Sequence, residues 1–256
     1  MRLLLTNDDG IDSIALHILA KELQKEHEII IVAPSTQRSA ASHSITIHNP
    51  LSVKEVNLSG ISSKAYSVDG TPADCVRVGL EKIITKPVDM VISGTNIGAN
   101  LGRDILYSGT VSAAVEAAIS KIPSIAMSCE VSFLDKIKEE HFITAAKYAS
   151  KAIEISKNNL IANDIVLNVN VPAIKEEEIK GIKVCPMGGN LYEFFYEEKS
   201  NEDGTIKLAL SGKYNENIQG STDVYYLKNG YVTITPLHYD FTNFKILNEV
   251  NGWFTP

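Results

Sequence analysis

Cysteine is scarce in this 256-residue chain, and the little there is forms no pattern. Cys75, Cys129 and Cys185 are odd in number, isolated in apolar surroundings and without a CxxC pair. That argues against a disulfide framework and a thiolate zinc site, and makes free buried thiols in a reducing cytoplasm the expectation. Long apolar runs are also missing. None approaches the ~18 residues of a membrane span, and Met1 leads directly into the first predicted strand, so neither a membrane nor a signal peptide is expected. Positive charge is in short supply, with 24 Lys and Arg against 31 Asp and Glu and a net charge of -7. A nucleic-acid polymer, whose binding depends on basic patches, is therefore not the expected partner. The signature loops GxGxxG, GxSxG and Walker A are all absent. Gly94, Gly98 and Gly102 recur every fourth residue instead, and the helix after them comes too late for a dinucleotide fingerprint.

What is present has the alternating grammar of an α/β protein. Arg2 to Thr6 is a short apolar run, the pattern of a strand buried on both faces. A helical stripe follows from about Ser13 to Gln24, then a continuous apolar strand from Glu28 to Ala33, closed by Pro34. Leu51 to Leu58 and Lys64 to Val68 read as antiparallel strands inserted beside the core. Thr71-Pro72-Ala73-Asp74 opens a helix with Thr as cap, Pro at the first position and an acid in the first turn. Val88 to Ser93 and Ser124 to Ser128 are further core strands, and Gly94 to Tyr107 is a long Gly- and Asn-rich loop. Ser108 to Ser120 and His141 to Lys157 are helices, and Asp164 to Val171 is a strand. This alternation predicts a doubly wound, mainly parallel sheet over residues 1–172.

Beyond that point the pattern changes. Ile182 to Cys185, Tyr192 to Glu198 and Ile206 to Leu210 read as short strands of antiparallel hairpins projecting from the core. A long isolated hairpin is marginal by itself, so residues 173–256 are expected to pack on a second subunit rather than to form an independent domain. A short helix through Lys228, a strand from Tyr231 to Thr235 and an amphipathic helix from Phe241 to Val250 complete this part.

Four candidate loops follow predicted parallel strands and so share one edge of the sheet, where open α/β sheets bind their ligands. In the first, Asn7-Asp8-Asp9-Gly10, a turn beginning near Asn7 would let two adjacent carboxylates reach one point. Their repulsion calls for a shared proton or a cation, and oxygen ligands select a hard one such as Mg²⁺, Mn²⁺ or Ca²⁺. The plainer reading makes Asp8 a turn residue and Asp9 a helix cap. Ser39 and Asn96, on two of the other loops, offer further oxygen ligands; by themselves they read rather as a helix cap and a turn residue. On the last loop, Ser108-Gly109-Thr110 at a helix start presents backbone N–H groups and hydroxyls that suit a phosphate.

The motifs Leu5-Thr6-Asn7-Asp8-Asp9-Gly10, Ala33-Pro34 with Gln37-Arg38-Ser39, and Asp69-Gly70-Thr71-Pro72-Ala73-Asp74-Cys75-Val76 come in that order. Ser93-Gly94-Thr95-Asn96-Ile97-Gly98 and Tyr107-Ser108-Gly109-Thr110-Val111 follow, with Gly230-Tyr231-Val232 and Thr235-Pro236-Leu237 near the end. Together they resemble the SurE family of metal-dependent 5′/3′-nucleotidases, from end to end and in the right order. The resemblance implies a Rossmann-like core with a hairpin arm and terminal segment exchanged between subunits, giving a homodimer or homotetramer. It implies one divalent metal, Mg²⁺ or Mn²⁺, on Asp8, Asp9, Ser39 and Asn96, with Asp8 and Asp9 catalytic. It places the substrate phosphate near Asn96, Ser108, Gly109 and Thr110. The implied activity is hydrolysis of nucleoside 5′- or 3′-monophosphates, and of short polyphosphate in some members. Residues 188–220 match least.

Two rivals belong to other classes. A signalling receiver also carries an acidic pair after its first strand, but it needs an Asp after the third strand, where this chain has Asn96, and about half this length. A regulator that binds nucleotide without turnover would need the same residues, and only product release separates it from the enzyme.

Overall fold

Residues 1–131, 138–158, 164–202, 204–215, 218 and 220–255 are described in a computed structural model. At its centre is β1 (Arg2–Thr6), paired in parallel with β2 (Glu28–Pro34) on one side and β5 (Met90–Ile97) on the other. Alternation along β1 sends its leucines to opposite faces. Leu3 and Leu5 pack with Leu16 and Leu19 of α1 (Ile14–Leu23) and Phe142 and Ala145 of α4 (Glu139–Asn158). Leu4 packs with Cys75 and Val76 of α2 (Pro72–Val78) and Ala113 and Ala117 of α3 (Gly109–Ile119). Helices thus cover both faces of a continuous apolar strand, as the sequence predicts for a doubly wound sheet.

The sheet has nine strands in the order β3-β4-β2-β1-β5-β6-β7-β11-β8. Here β3 is Val53–Val56, β4 Ala65–Val68, β6 Ser124–Glu130, β7 Val166–Pro172, β8 Ile182–Val184 and β11 Val232–Leu237. Of the inserted pair only β3 runs antiparallel; β4 continues the parallel sheet beside β2. The segment expected as a hairpin strand at 182–185 instead becomes the edge strand β8, parallel to β11. The remaining hairpin, β9 (Tyr192–Glu202) and β10 (Thr205–Tyr214), forms a separate two-stranded sheet. Phe194, Phe195, Tyr196, Leu208 and Leu210 on it are exposed.

Local chemistry explains several boundaries. Thr71 accepts from the Asp74 N–H and Asp74 accepts from the Thr71 N–H, the reciprocal box that starts α2. Thr222 caps α5 (Asp223–Lys228). The last helix, α6, is Leu247–Phe254 rather than 241–250. Asp240 and Asn243 take the N–H groups of Thr242 and Lys245 with their side chains, which holds 240–246 in turns. All three cysteines are free and buried, and burial pushes the Cys129 thiol up to about 12. Among the described residues no helix is long and apolar enough to cross a membrane.

Candidate active site

The site begins with one turn. Asn7 donates its amide N–H to the Gly10 carbonyl at 2.9 Å and accepts the Gly10 N–H at 3.2 Å. This closes the chain just past β1 and leaves Asp8 and Asp9 side by side. Gly10 has φ +97°, and a Cβ there would come 3.2 Å from the Thr36 backbone, so only glycine lets the turn lie against the loop after β2.

Each carboxylate is held by the other loops. Asp8 is buried, and its Oδ1 accepts from the Thr110 hydroxyl at 2.5 Å. Its backbone carbonyl accepts the Arg38 N–H at 2.7 Å. Asp9 Oδ2 accepts the Ile97 N–H at 3.1 Å and its Oδ1 accepts from Gln37 Nε2 at 3.3 Å. The first turn of α3 presses directly on Asp8, since a Cβ on Gly109 would sit 2.8 Å from Asp8 Cβ. The segments 7–10, 36–38, 96–97 and 109–110 therefore meet at the carboxylate pair.

Asn96 reaches this edge by an irregularity that its sequence context does not announce. The predicted strand over 88–93 in fact runs to Ile97, and Asn96 lies inside it rather than in a turn. Ser93 pairs with Ala126 and Asn96 with Ser128, so β5 holds one more residue than β6 between those rungs. Gly94, at φ +136°, fills the bulge, where a Cβ would meet the Met127 carbonyl at 2.3 Å. Asn96 spends its amide N–H on the Gly98 carbonyl at 2.8 Å, which orients its oxygen.

The other expected residues divide by role. Ser108 is the cap of α3, its hydroxyl oxygen accepting the Val111 N–H at 3.1 Å, while its O–H remains a donor. Ser39 is exposed in a turn one residue beyond Arg38 and makes no hydrogen bond to either carboxylate. Two features are missed by the sequence reading. Gln37 is quoted there without a role, yet it touches Asp9. Glu116 is buried in α3 and bonded to His43 Nε2 at 2.7 Å and Arg77 Nη1 at 3.5 Å, which fastens the 35–50 loop to the helix. A lone acid in the run Thr110-Val111-Ser112-Ala113-Ala114-Val115-Glu116-Ala117 was the available signal.

The electrostatics of the pair are unusual for a structural contact. Burial raises the Asp8 pKa, opposed by hydrogen bonds from the Thr110 hydroxyl and backbone. Asp9 is pushed up to about 6, first by burial and then by the charge of Asp8. Among the described residues no Lys, Arg or His pairs with either; Arg38 pairs with Asp69 and His43 with Glu116 instead. No cluster of three or more His, Cys, Asp or Glu occurs among the described residues. Two carboxylates fixed by a hydroxyl, an amide and a backbone N–H are hard oxygen ligands that suit an oxygen-loving divalent cation.

Comparison with known proteins shows which family this chain is similar to. The family described as Survival protein SurE matches residues 3–194. A protein of Clostridium tetani named 5'-nucleotidase SurE is 56% identical over 254 residues, 99% of this chain and 100% of its own. Its namesake in Clostridium beijerinckii is 49% identical over 255 residues, 99% of each chain. The crystal structure of the SurE protein from Aquifex aeolicus superposes with a TM-score of 0.86 at 36% identity, covering 100% of both chains. The segments that carry Asp8, Asp9, Gln37 and Asn96 all fall inside the matched region, as does the start of α3, and the chain belongs to the SurE family.

Proposed function

We propose that this chain is a phosphomonoesterase that hydrolyses nucleoside 5′- or 3′-monophosphates with the help of one divalent cation, Mg²⁺ or Mn²⁺, held by Asp8, Asp9, Ser39 and Asn96. The observation that carries the reading is the carboxylate pair, Asp8 buried and Asp9 half-buried, set at the start of α3 and without a protein cation among the described residues. The name 5'-nucleotidase SurE on relatives of nearly equal length supports the substrate class.

A bound divalent cation supplies a Lewis acid for a phosphoryl oxygen and lowers the pKa of a water. The chain's own residues do the rest. Thr110 fixes the Asp8 carboxylate through its hydroxyl, and the Ile97 N–H with Gln37 fixes Asp9, so neither rotamer is free when substrate arrives. Thr110 therefore acts on the substrate through Asp8. The Gly109 N–H, in the first turn of α3 and without an intrahelical acceptor, and the Ser108 hydroxyl are the donors left for phosphoryl oxygens. Charge builds on those oxygens during phosphoryl transfer, and preorganised donors there lower the barrier. A carboxylate that holds a cation is a poorer nucleophile than water, which favours attack by water over a phospho-aspartate.

Residues 1–172 are read as the catalytic core and 173–256 as the oligomerisation part. The exposed apolar side chains of the hairpin and of Phe241, Phe244, Trp253 and Phe254 favour packing on a second copy, as a dimer or tetramer. Three free buried thiols suit a cytoplasmic location.

The test is phosphate release from a panel of 5′- and 3′-nucleoside monophosphates and tripolyphosphate, with chelator and with Mg²⁺ or Mn²⁺ restored. Release that the chelator abolishes and the metal restores is expected. Nucleotide binding without release under any metal would assign a regulator instead.

A further inference from the structure

Tyr107 stands beside the phosphate donors and has no task in the fold. Its ring is 64% exposed, and it stacks on no ring and meets no cation among the described residues. Other aromatic residues described before residue 191 are turned inward: Phe142 is fully buried, and Tyr66 and Tyr148 are half-buried. The remaining exposed rings lie on the hairpin and the segments after it. Among the described residues of the core, the one open ring is thus the residue that precedes Ser108.

Its backbone, by contrast, is pinned. The Tyr107 N–H donates to the Asp104 carbonyl at 3.0 Å, and its carbonyl accepts the Ser42 N–H at 3.1 Å. The Ser42 hydroxyl donates to the Leu106 carbonyl at 2.7 Å. Ser42 lies three residues beyond Ser39, so Tyr107 sits on the seam between the loop that bears Ser39 and the start of α3. A rigid backbone carrying an open aromatic face is the cheapest kind of platform to bind against, because little ordering remains to be done.

We infer that Tyr107 is the platform on which the base of a nucleoside monophosphate stacks while its phosphate lies at Ser108 and Gly109. The inference rests on the nucleotidase reading and deepens it. All bases present a π-face, so stacking is tolerant of base identity. A stacking wall selects for ring area, so purines gain more than pyrimidines.

The experiment compares adenosine, guanosine, cytidine and uridine 5′-monophosphates with ribose 5-phosphate, which keeps the sugar and phosphate and lacks the base. In Tyr107→Ala, kcat/KM for the purine nucleotides should fall by roughly 5- to 100-fold, the range that losing one stacked base produces. The loss should appear in KM more than kcat, and the ratio of nucleotide to ribose 5-phosphate efficiency should collapse. Tyr107→Trp should restore that ratio. An equal loss on ribose 5-phosphate, or a change of oligomeric state in its place, would overturn the proposal, as would an unchanged ratio. If the native protein releases no phosphate from any substrate, the nucleotidase reading fails. Titration of adenosine monophosphate into the native and Tyr107→Ala proteins then decides the platform separately, with equal affinity refuting it.

Discussion

Asp9→Asn tests the charge reading of the site most directly. The substitution keeps the shape and most of the hydrogen bonding. The amide oxygen takes the Ile97 N–H, and the amide N–H₂ faces Gln37, which turns over to accept it. What is lost is one negative charge beside Asp8. The Asp9 carboxyl is pushed from 3.8 to about 6, and each tenfold change in proton affinity corresponds to about 1.4 kcal/mol. After a discount for partial solvent screening, the ionised carboxylate costs the folded, metal-free protein about 2 kcal/mol. The sign follows from where the proton is held. The folded state binds it more tightly than the unfolded chain, so the penalty is full well above pH 6. It shrinks as the pH falls through about 6, and it vanishes below the unfolded value.

Urea unfolding in the presence of a chelator should therefore find Asp9→Asn more stable than the native protein at pH 8 by about 2 kcal/mol, and by roughly half that at pH 5. Saturating Mg²⁺ or Mn²⁺ should reverse the order, because a ligand that binds only the folded state stabilises the protein able to hold it. The variant should release no phosphate under the same conditions. A chelated Asp9→Asn protein less stable than the native one at pH 8, or one with the same pH slope, would refute the claim that the pair is held together against its own repulsion.

Two further perturbations probe the frame around the pair. In Gly109→Ala the new methyl would come 2.8 Å from Asp8 Cβ and 3.0 Å from its Oδ2. Crowding of about 1–3 kcal/mol is then partly offset by the roughly 0.5–1 kcal/mol that Ala gains over Gly in a helix. Stability should fall by roughly 1 kcal/mol while the displaced Asp8 lowers turnover at least tenfold, so native turnover and metal affinity would contradict the placement. His43→Ala leaves the buried Glu116 with Arg77 alone, at 3.5 Å, an expected loss of about 1–3 kcal/mol. Limited proteolysis should cut faster within residues 35–50, and metal titration should show weaker binding because Ser39 and Gln37 ride on that loop; unaltered cleavage would show that the loop is held elsewhere.

Where the controlling interactions are local, the sequence displays them. The apolar run of β1, the turn that Asn7 and Gly10 close, and the capping box of Thr71 and Asp74 each depend on residues within three positions of one another. Non-local pairing is harder to see. Residues 182–184 are short and mixed in character, and only their partnership with β11 makes them an edge strand of the main sheet. The bulge at Gly94 arises because the Met127 carbonyl occupies the space a side chain would need, a fact about β6 rather than about β5. The same division runs through the site. Strand ends place Asp8, Asp9 and Asn96 on one edge, and the local cap of Ser108 starts α3 beside them, but tertiary approach decides that Thr110 serves Asp8.

The composition of the frame carries more functional information than the list of residues in it. Two adjacent acids, one buried and one half-buried, held for structure alone would be expected to sit against a lysine or arginine, and this chain has 24 of them. It supplies instead one hydroxyl, one amide and backbone N–H groups, donors that fix the carboxylates without cancelling their charge. Neutral donors leave lone pairs and net charge available to an arriving cation, whereas a protein cation would consume both. Gly109 keeps α3 close enough to touch Asp8, so a cation held there also lies beside donors that suit a phosphate. Filling the site with a lysine, as in Asn96→Lys, should then stabilise the metal-free protein while removing metal binding and turnover together. Retained metal-dependent turnover in that variant, measured alongside its unfolding in chelator, would show that the cation is held somewhere other than at the carboxylate pair.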